Sequence, residues 1–151
     1  YRRSVYTFFK RTAPHPMFAN FDAPAREQFC LKRERSNTPL QALQLMNDVQ
    51  HFEAARGLAQ RAMKERTALK ERIDFVFLSV LARFPGEEEL KIVKGLFDSH
   101  LAKYRAAPEE AKKAIQFGES KPAVDLDPAE LAAWSLVANL VLNMDEAIVR
   151  N

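Results

Sequence analysis

The densest group of side chains able to do chemistry lies between Asp22 and Gln41: Asp22, Arg26, Glu27, Arg33, Arg35, Asn37, Thr38 and Gln41. Guanidinium groups present a planar fork of donors that pairs bidentately with carboxylates and phosphates. The stretch is therefore a candidate anion-binding site, with Asp22, Arg26, Glu27, Arg33, Arg35 and Asn37 as its binding residues. The same residues have a plainer use. An irregular segment must find partners for its backbone N–H and C=O groups, and side chains supply many of them. The expectation is that these residues knit the loop onto the helices through internal ion pairs, with the anion site as the alternative.

Other constellations point to less. Ser135, Asn139 and Asn143 recur every four residues and lie on one stripe of an otherwise apolar helix. Buried amides need hydrogen-bond partners, so the stripe is expected to meet the arginine-rich segment or a helix end as a structural network. His15, His51 and His100 are scattered without the i, i+4 spacing of a helical metal pair. No metal site and no cofactor are expected. The single cysteine, Cys30, has no hydrolase signature around it and is expected to be buried, as free cysteines commonly are. Arg2, Arg3, Tyr6, Phe8, Phe9, Lys10 and Arg11 interleave cations with aromatics, a pattern that can bind single strands. Phe8 and Phe9 are expected to enter the core instead, and no nucleic-acid partner is expected. A glycine-rich phosphate loop and a G-x-S-x-G elbow are both missing from the sequence.

The elements that must position these residues read as helices. The chain has 151 residues, 47% of them apolar and 28% charged, enough for one domain with a sizeable core. Four glycines argue against a turn-rich β fold. Charge is uneven: residues 1–35 hold eight Lys/Arg and three Asp/Glu, so a net charge of +3 hides a basic N-terminal end and a slightly acidic remainder. No run approaches the roughly 20 apolar residues of a membrane span. The chain opens without an initiator methionine or a signal peptide and reads as a piece of a longer protein.

Residues 4–12 fit a short helix or a strand equally well. Ala13-Pro14-His15-Pro16 enforces an extended passage, and residues 17–37 read as turns anchored by Met17, Phe18, Phe21 and Phe29. Thr38-Pro39-Leu40-Gln41 has the form of a capped helix start, with Leu40, Leu43 and Met46 as its apolar face. Asp48 starts a second helix, a third runs over about 68–83 to a stop at Pro85-Gly86, and Glu87, Glu88 and Glu89 open a fourth. Pro108 opens a fifth that ends near Gly118. Asp127 caps a last helix extending to about Val149. The expected architecture is all-α: an irregular multi-helix bundle over residues 38–151 with a long, loop-rich basic segment at 1–37, together one domain.

The strings RRSVYTFFKRTAP, FDAPAREQFCLKRERSNTPLQAL, LQLMND and AAWSLVANLVLNMDE resemble the planctomycete cytochrome-associated domain of unknown function, also called planctomycete-specific domain one. The chain resembles the C-terminal part of that domain. The resemblance implies a long exported protein, periplasmic or at the cell surface, with a cytochrome-c-like haem domain and a companion domain upstream. It carries over Asp22, Arg26, Glu27, Cys30, Arg33, Asn37, Thr38 and Gln41 as marker positions, with no catalytic role attached. No C-x-x-C-H haem attachment occurs in this sequence. The expected function is a non-catalytic interaction or scaffold domain that docks on the upstream domains of its parent. The alternative is part of an enzyme site that binds an anionic substrate, a sulfated or acidic sugar, through the arginine-rich segment.

Overall fold

The computed structural model describes residues 4–10 and 12–148. Among them the regular structure is helical, with no β-strand. They divide at Leu45/Met46 into two compact units.

The N-terminal unit is loop-rich, as its sequence indicates. A 3-10 turn over Ser4–Tyr6 opens it. The Pro14–Pro16 passage is extended at His15 (φ −57°, ψ 134°), and Pro16 then occupies the first position of a short helix, α1 (Pro16–Asn20). The sequence reading treats this stretch as turns. A helix forms because Pro16 has its φ preset and needs no N–H, while the His15 ring accepts the Met17 N–H at 3.3 Å. Helix α2 (Pro39–Asn47) starts where its capping box predicts. The Gln41 N–H donates to Thr38 Oγ1 at 3.3 Å and the Thr38 N–H to Gln41 Oε1 at 3.4 Å.

The inward face of α2 differs from expectation. Gln41 and Leu45 are buried, whereas Leu40, Leu43 and Met46 are more than half exposed. A polar contact sets this orientation: the Gln41 amide donates to the Asn20 carbonyl at 2.6 Å and to Ser36 Oγ at 3.1 Å. An amide so engaged has to face the loop, and Leu40, one residue before it, and Leu43, two after it, turn outward.

The C-terminal unit contains α3 (Val49–Glu65), α4 (Leu69–Leu81), α5 (Glu87–Ala106), α6 (Pro108–Ile115), α7 (Pro128–Leu142) and α8 (Asp145–Ile148). Helix α7 is its centre. It is apolar on all sides and buried from Ala129 to Ser135 and again at Val137–Asn139 and Val141, apart from the partly buried Glu130. It packs against α3, α5 and α6, most extensively against α3. Small residues permit that approach: Ala55, Ala59 and Ala62 of α3 are fully buried, as are Ala132, Ala133 and Ala138 of α7. Trp134 meets Phe97 of α5 with ring centroids 4.7 Å apart.

Caps mark the starts as predicted: the Asp48 carboxylate accepts the His51 N–H at 3.0 Å and Asp127 accepts that of Glu130 at 3.1 Å. Two ends differ. Helix α4 stops at Leu81, ahead of Pro85-Gly86, because Ala82 takes a left-handed conformation (φ 56°). The last helix breaks after Leu142, where Asn143 closes α7, and α8 begins at Asp145. Asp145 and Glu146 are unfavourable at the negative end of a helix and favourable at the start of a new one, which accounts for the break. The expected end at Val149 lies outside the described residues.

Candidate functional site

The arginine-rich stretch of the N-terminal unit closes on itself around Asp22. Helix α1 ends at Asn20, and Asp22 follows in the left-handed region (φ 54°), which aims its carboxylate at the incoming residue Ser36. Asp22 Oδ2 accepts the Ser36 amide at 2.8 Å and the Ser36 hydroxyl at 2.7 Å. These two hydrogen bonds, with the Arg33 charge nearby, hold the carboxyl below its ordinary pKa. Arg33 does not pair with that carboxylate side-on. Its Nε donates to the Asp22 carbonyl at 3.0 Å and an Nη donates to the Phe21 carbonyl. Gln41 and the hydrogen bond that the Asn20 side-chain amide donates to Gln44 Oε1 (2.6 Å) complete the tie between α1, the loop and α2. Asp22, Arg33 and Gln41 thus satisfy loop and helix-end backbone groups through hydrogen bonds, with the Arg33 charge close to Asp22.

Arg26 is positioned differently. It too lies at positive φ (60°), and its guanidinium sits 4.8 Å from the centroid of the Phe9 ring. Phe9 in turn stacks on Phe18 of α1, centroids 5.8 Å apart, and His15 meets Phe18 edge-on. Beside this stack is a half-open cavity of about 390 Å³, lined by Val5, Phe9, Met17, Phe18 and Phe21 with Arg26 and Arg33 among its walls. The remaining candidate binding residues, Glu27, Arg35 and Asn37, are exposed and do not line it.

Several expectations are overturned in this segment. Cys30 is exposed, with its thiol donating to the Lys32 carbonyl at 3.2 Å. Its neighbours Phe29, expected to be an anchor, and Leu31 are exposed too. The segment has neither helical nor strand periodicity, so nothing turns alternate residues toward a core. Phe8, expected to be buried, is exposed, while Phe9 is half-buried on Phe18. Arg2, Arg3 and Arg11 of the cation–aromatic row lie outside the described residues. Among the described residues no three His, Cys, Asp or Glu side chains gather as a metal set, and no helix is long and apolar enough to cross a membrane.

The serine–asparagine stripe of α7 is buried at Ser135 and Asn139, and among the described residues its hydrogen bonds run along the helix. Ser135 Oγ donates to the Leu131 carbonyl at 2.7 Å, and the Asn143 amide reaches Asn139 Oδ1 only at 3.4 Å. These contacts are local, and at Asn143 they reach the C-terminal cap of α7: the i−4 geometry of a helix offers the nearest acceptors.

Two polar centres of the C-terminal unit escaped sequence reasoning. Arg56 of α3 is fully buried and reaches across to the end of α6, donating to the carbonyls of Ile115, Phe117 (3.0 Å) and Ser120 (2.7 Å) and to Ser120 Oγ (2.7 Å). Glu53, one turn earlier, accepts the amides of Glu119 (2.9 Å) and Ser120 (2.7 Å) and the Ser120 hydroxyl. Between them Gly118 adopts φ 100°, and a Cβ there would collide with the Glu53 carboxylate. The only local signal was the i, i+3 spacing of Glu53 and Arg56. In the second centre Arg83 grips Glu89 bidentately (2.7 and 2.8 Å) and Glu146 through two more bonds (2.8 and 2.9 Å). The Arg83–Glu89 bonds, with the Gly86 N–H, lower the Glu89 carboxyl to about 2.

No curated protein and no solved structure matches the chain. A family model does, over residues 1–97, which covers the whole N-terminal unit and continues through α3, α4 and half of α5. Three of the four strings that carry the sequence resemblance lie inside that span, and AAWSLVANLVLNMDE lies beyond it. The chain belongs to the family described as PSD1, protein of unknown function (DUF1553).

Proposed function

We propose that the chain is a non-catalytic docking module of a larger exported protein, and that the N-terminal unit is its contact surface. One observation carries this reading: the unit buries the Gln41 amide and leaves a set of large apolar side chains facing outward. Gln41 is buried, while Val5, Tyr6, Phe8, Phe29 and Leu31 are 72%, 66%, 84%, 87% and 93% exposed. Isolated apolar side chains on a surface are ordinary. A set of this size in a segment of some 30 residues resembles the exposed patches that mark protein contacts.

Resemblance supplies the context of the proposal. The parent protein would be periplasmic or surface-located in a planctomycete-like bacterium, and the partner surface would belong to its upstream domains, among them a cytochrome-c-like one. Calorimetric titration of the chain with the separately produced upstream part of its parent tests this. The expected dissociation constant is on the order of 1 μM or below. It weakens at least about tenfold when Phe8, Phe29 and Leu31 are all replaced by serine, because each exposed anchor contributes through its buried area. No association, or a variant that binds as the parent sequence does, would overturn the reading.

A further inference from the structure

The cavity of the N-terminal unit has walls that define a ligand class. Phe9, Phe18, Phe21, Met17 and Val5 make an apolar lining, and the charged groups beside them are two guanidiniums, with no carboxylate among the described lining residues. A pocket of about 390 Å³ is within the range of small-molecule sites. At about 30 Å³ per water-sized group it holds roughly a dozen non-hydrogen atoms.

The two arginines are not equivalent. Arg33 is committed to the carbonyls of Phe21 and Asp22. Arg26 is held through the Phe9 ring, a contact that leaves its N–H donors for an acceptor. Its backbone lies at φ 60°, a conformation natural to glycine and strained for arginine. The loop therefore tolerates strain to place a guanidinium against the aromatic stack.

We propose that this cavity binds a small amphipathic monocarboxylate, its aromatic or branched alkyl body against Phe9, Phe18 and Phe21 and its carboxylate on Arg26. A sulfated or acidic sugar fits less well, because a hydroxyl-rich ring would leave most of its hydroxyls without partners against this lining. The proposal is independent of the docking reading, since ligand binding is measured on the chain alone and docking on the pair.

The test uses 4-phenylbutyrate, a carboxylate of the right size, titrated into the whole chain and followed by amide NMR. Saturable shifts are expected, centred on residues 17–27. The neutral analogue 4-phenylbutanol is expected to bind about tenfold more weakly, the discrimination given by one charge-assisted contact. Arg26→Gly removes the guanidinium while suiting the backbone at φ 60°, so it is expected to fold and to bind the acid no better than the alcohol. The absence of saturable shifts at millimolar concentrations would overturn the proposal. So would equal affinity for acid and alcohol in the unaltered chain, a comparison that needs no variant. Unchanged acid binding in Arg26→Gly would also overturn it.

Discussion

Replacing Arg56 with methionine tests how much of the C-terminal unit depends on one buried cation. Arg56 is 1% exposed and donates to three carbonyls and one hydroxyl between Ile115 and Ser120, with Glu53 Oε1 3.6 Å from its guanidinium. Methionine fills much of the same volume but supplies no donor. The carbonyls that close α6 lose their partners, and the carboxylate of Glu53 loses the cation beside it. Removing one member of a buried charge pair costs about 3–5 kcal/mol. Lost bonds to the partly solvated Ser120 add little, because water replaces them there. The expected loss is therefore about 3–4 kcal/mol, measured by urea denaturation followed by circular dichroism at constant m-value. Adding Glu53→Gln to Arg56→Met should cost less than the sum of the two single changes, since the double variant no longer leaves a carboxylate beside an absent cation. A loss below about 1 kcal/mol for Arg56→Met would refute the reasoning.

Further perturbations probe the same framework. Gly118→Ala is expected to cost at least about 2 kcal/mol in the same assay, because alanine is strained at φ 100° and its Cβ collides with Glu53. Glu89 has a carboxyl depressed from its ordinary 4.5 to about 2, first by the Arg83 hydrogen bonds and then by the Gly86 N–H. Its contribution is thus complete above about pH 4.5 and lost as the pH falls toward 2. Partial solvent exposure limits it to on the order of 1 kcal/mol. A pH series of unfolding curves should show that acid-side slope diminished in Glu89→Gln. Asn139→Leu is expected to change stability by less than about 1 kcal/mol, because its long contact with Asn143 is a weak one. A large loss on thermal melting would restore the idea of a buried polar network.

What the sequence made legible was local. Thr38, Asp48 and Asp127 announce helix starts because a cap and the amide it satisfies are three residues apart. Helix α7 announces its burial because it is apolar on every side. The cluster Asp22–Gln41 was visible as a composition, and its use in holding the loop was visible as a need. The pairings were not. Asp22 meets Ser36 fourteen residues away, and Arg56 meets Ile115 fifty-nine residues away. No periodicity encodes contacts of that separation. The same limit explains α2, where a single buried amide, Gln41, outweighed three apolar side chains in deciding which face turns in. It also explains Phe8, Phe29 and Cys30: hydrophobic type predicts burial only where a surrounding element can cover the side chain.

The central claim is that the outward apolar side chains of the N-terminal unit are covered in the parent protein. Hydrogen exchange compares the chain alone with the full-length parent under identical conditions. The account predicts at least about tenfold slower exchange in the parent for peptides spanning residues 4–10 and 28–32, with α3 and α7 unchanged. Equal exchange rates for those peptides in the two proteins would contradict it.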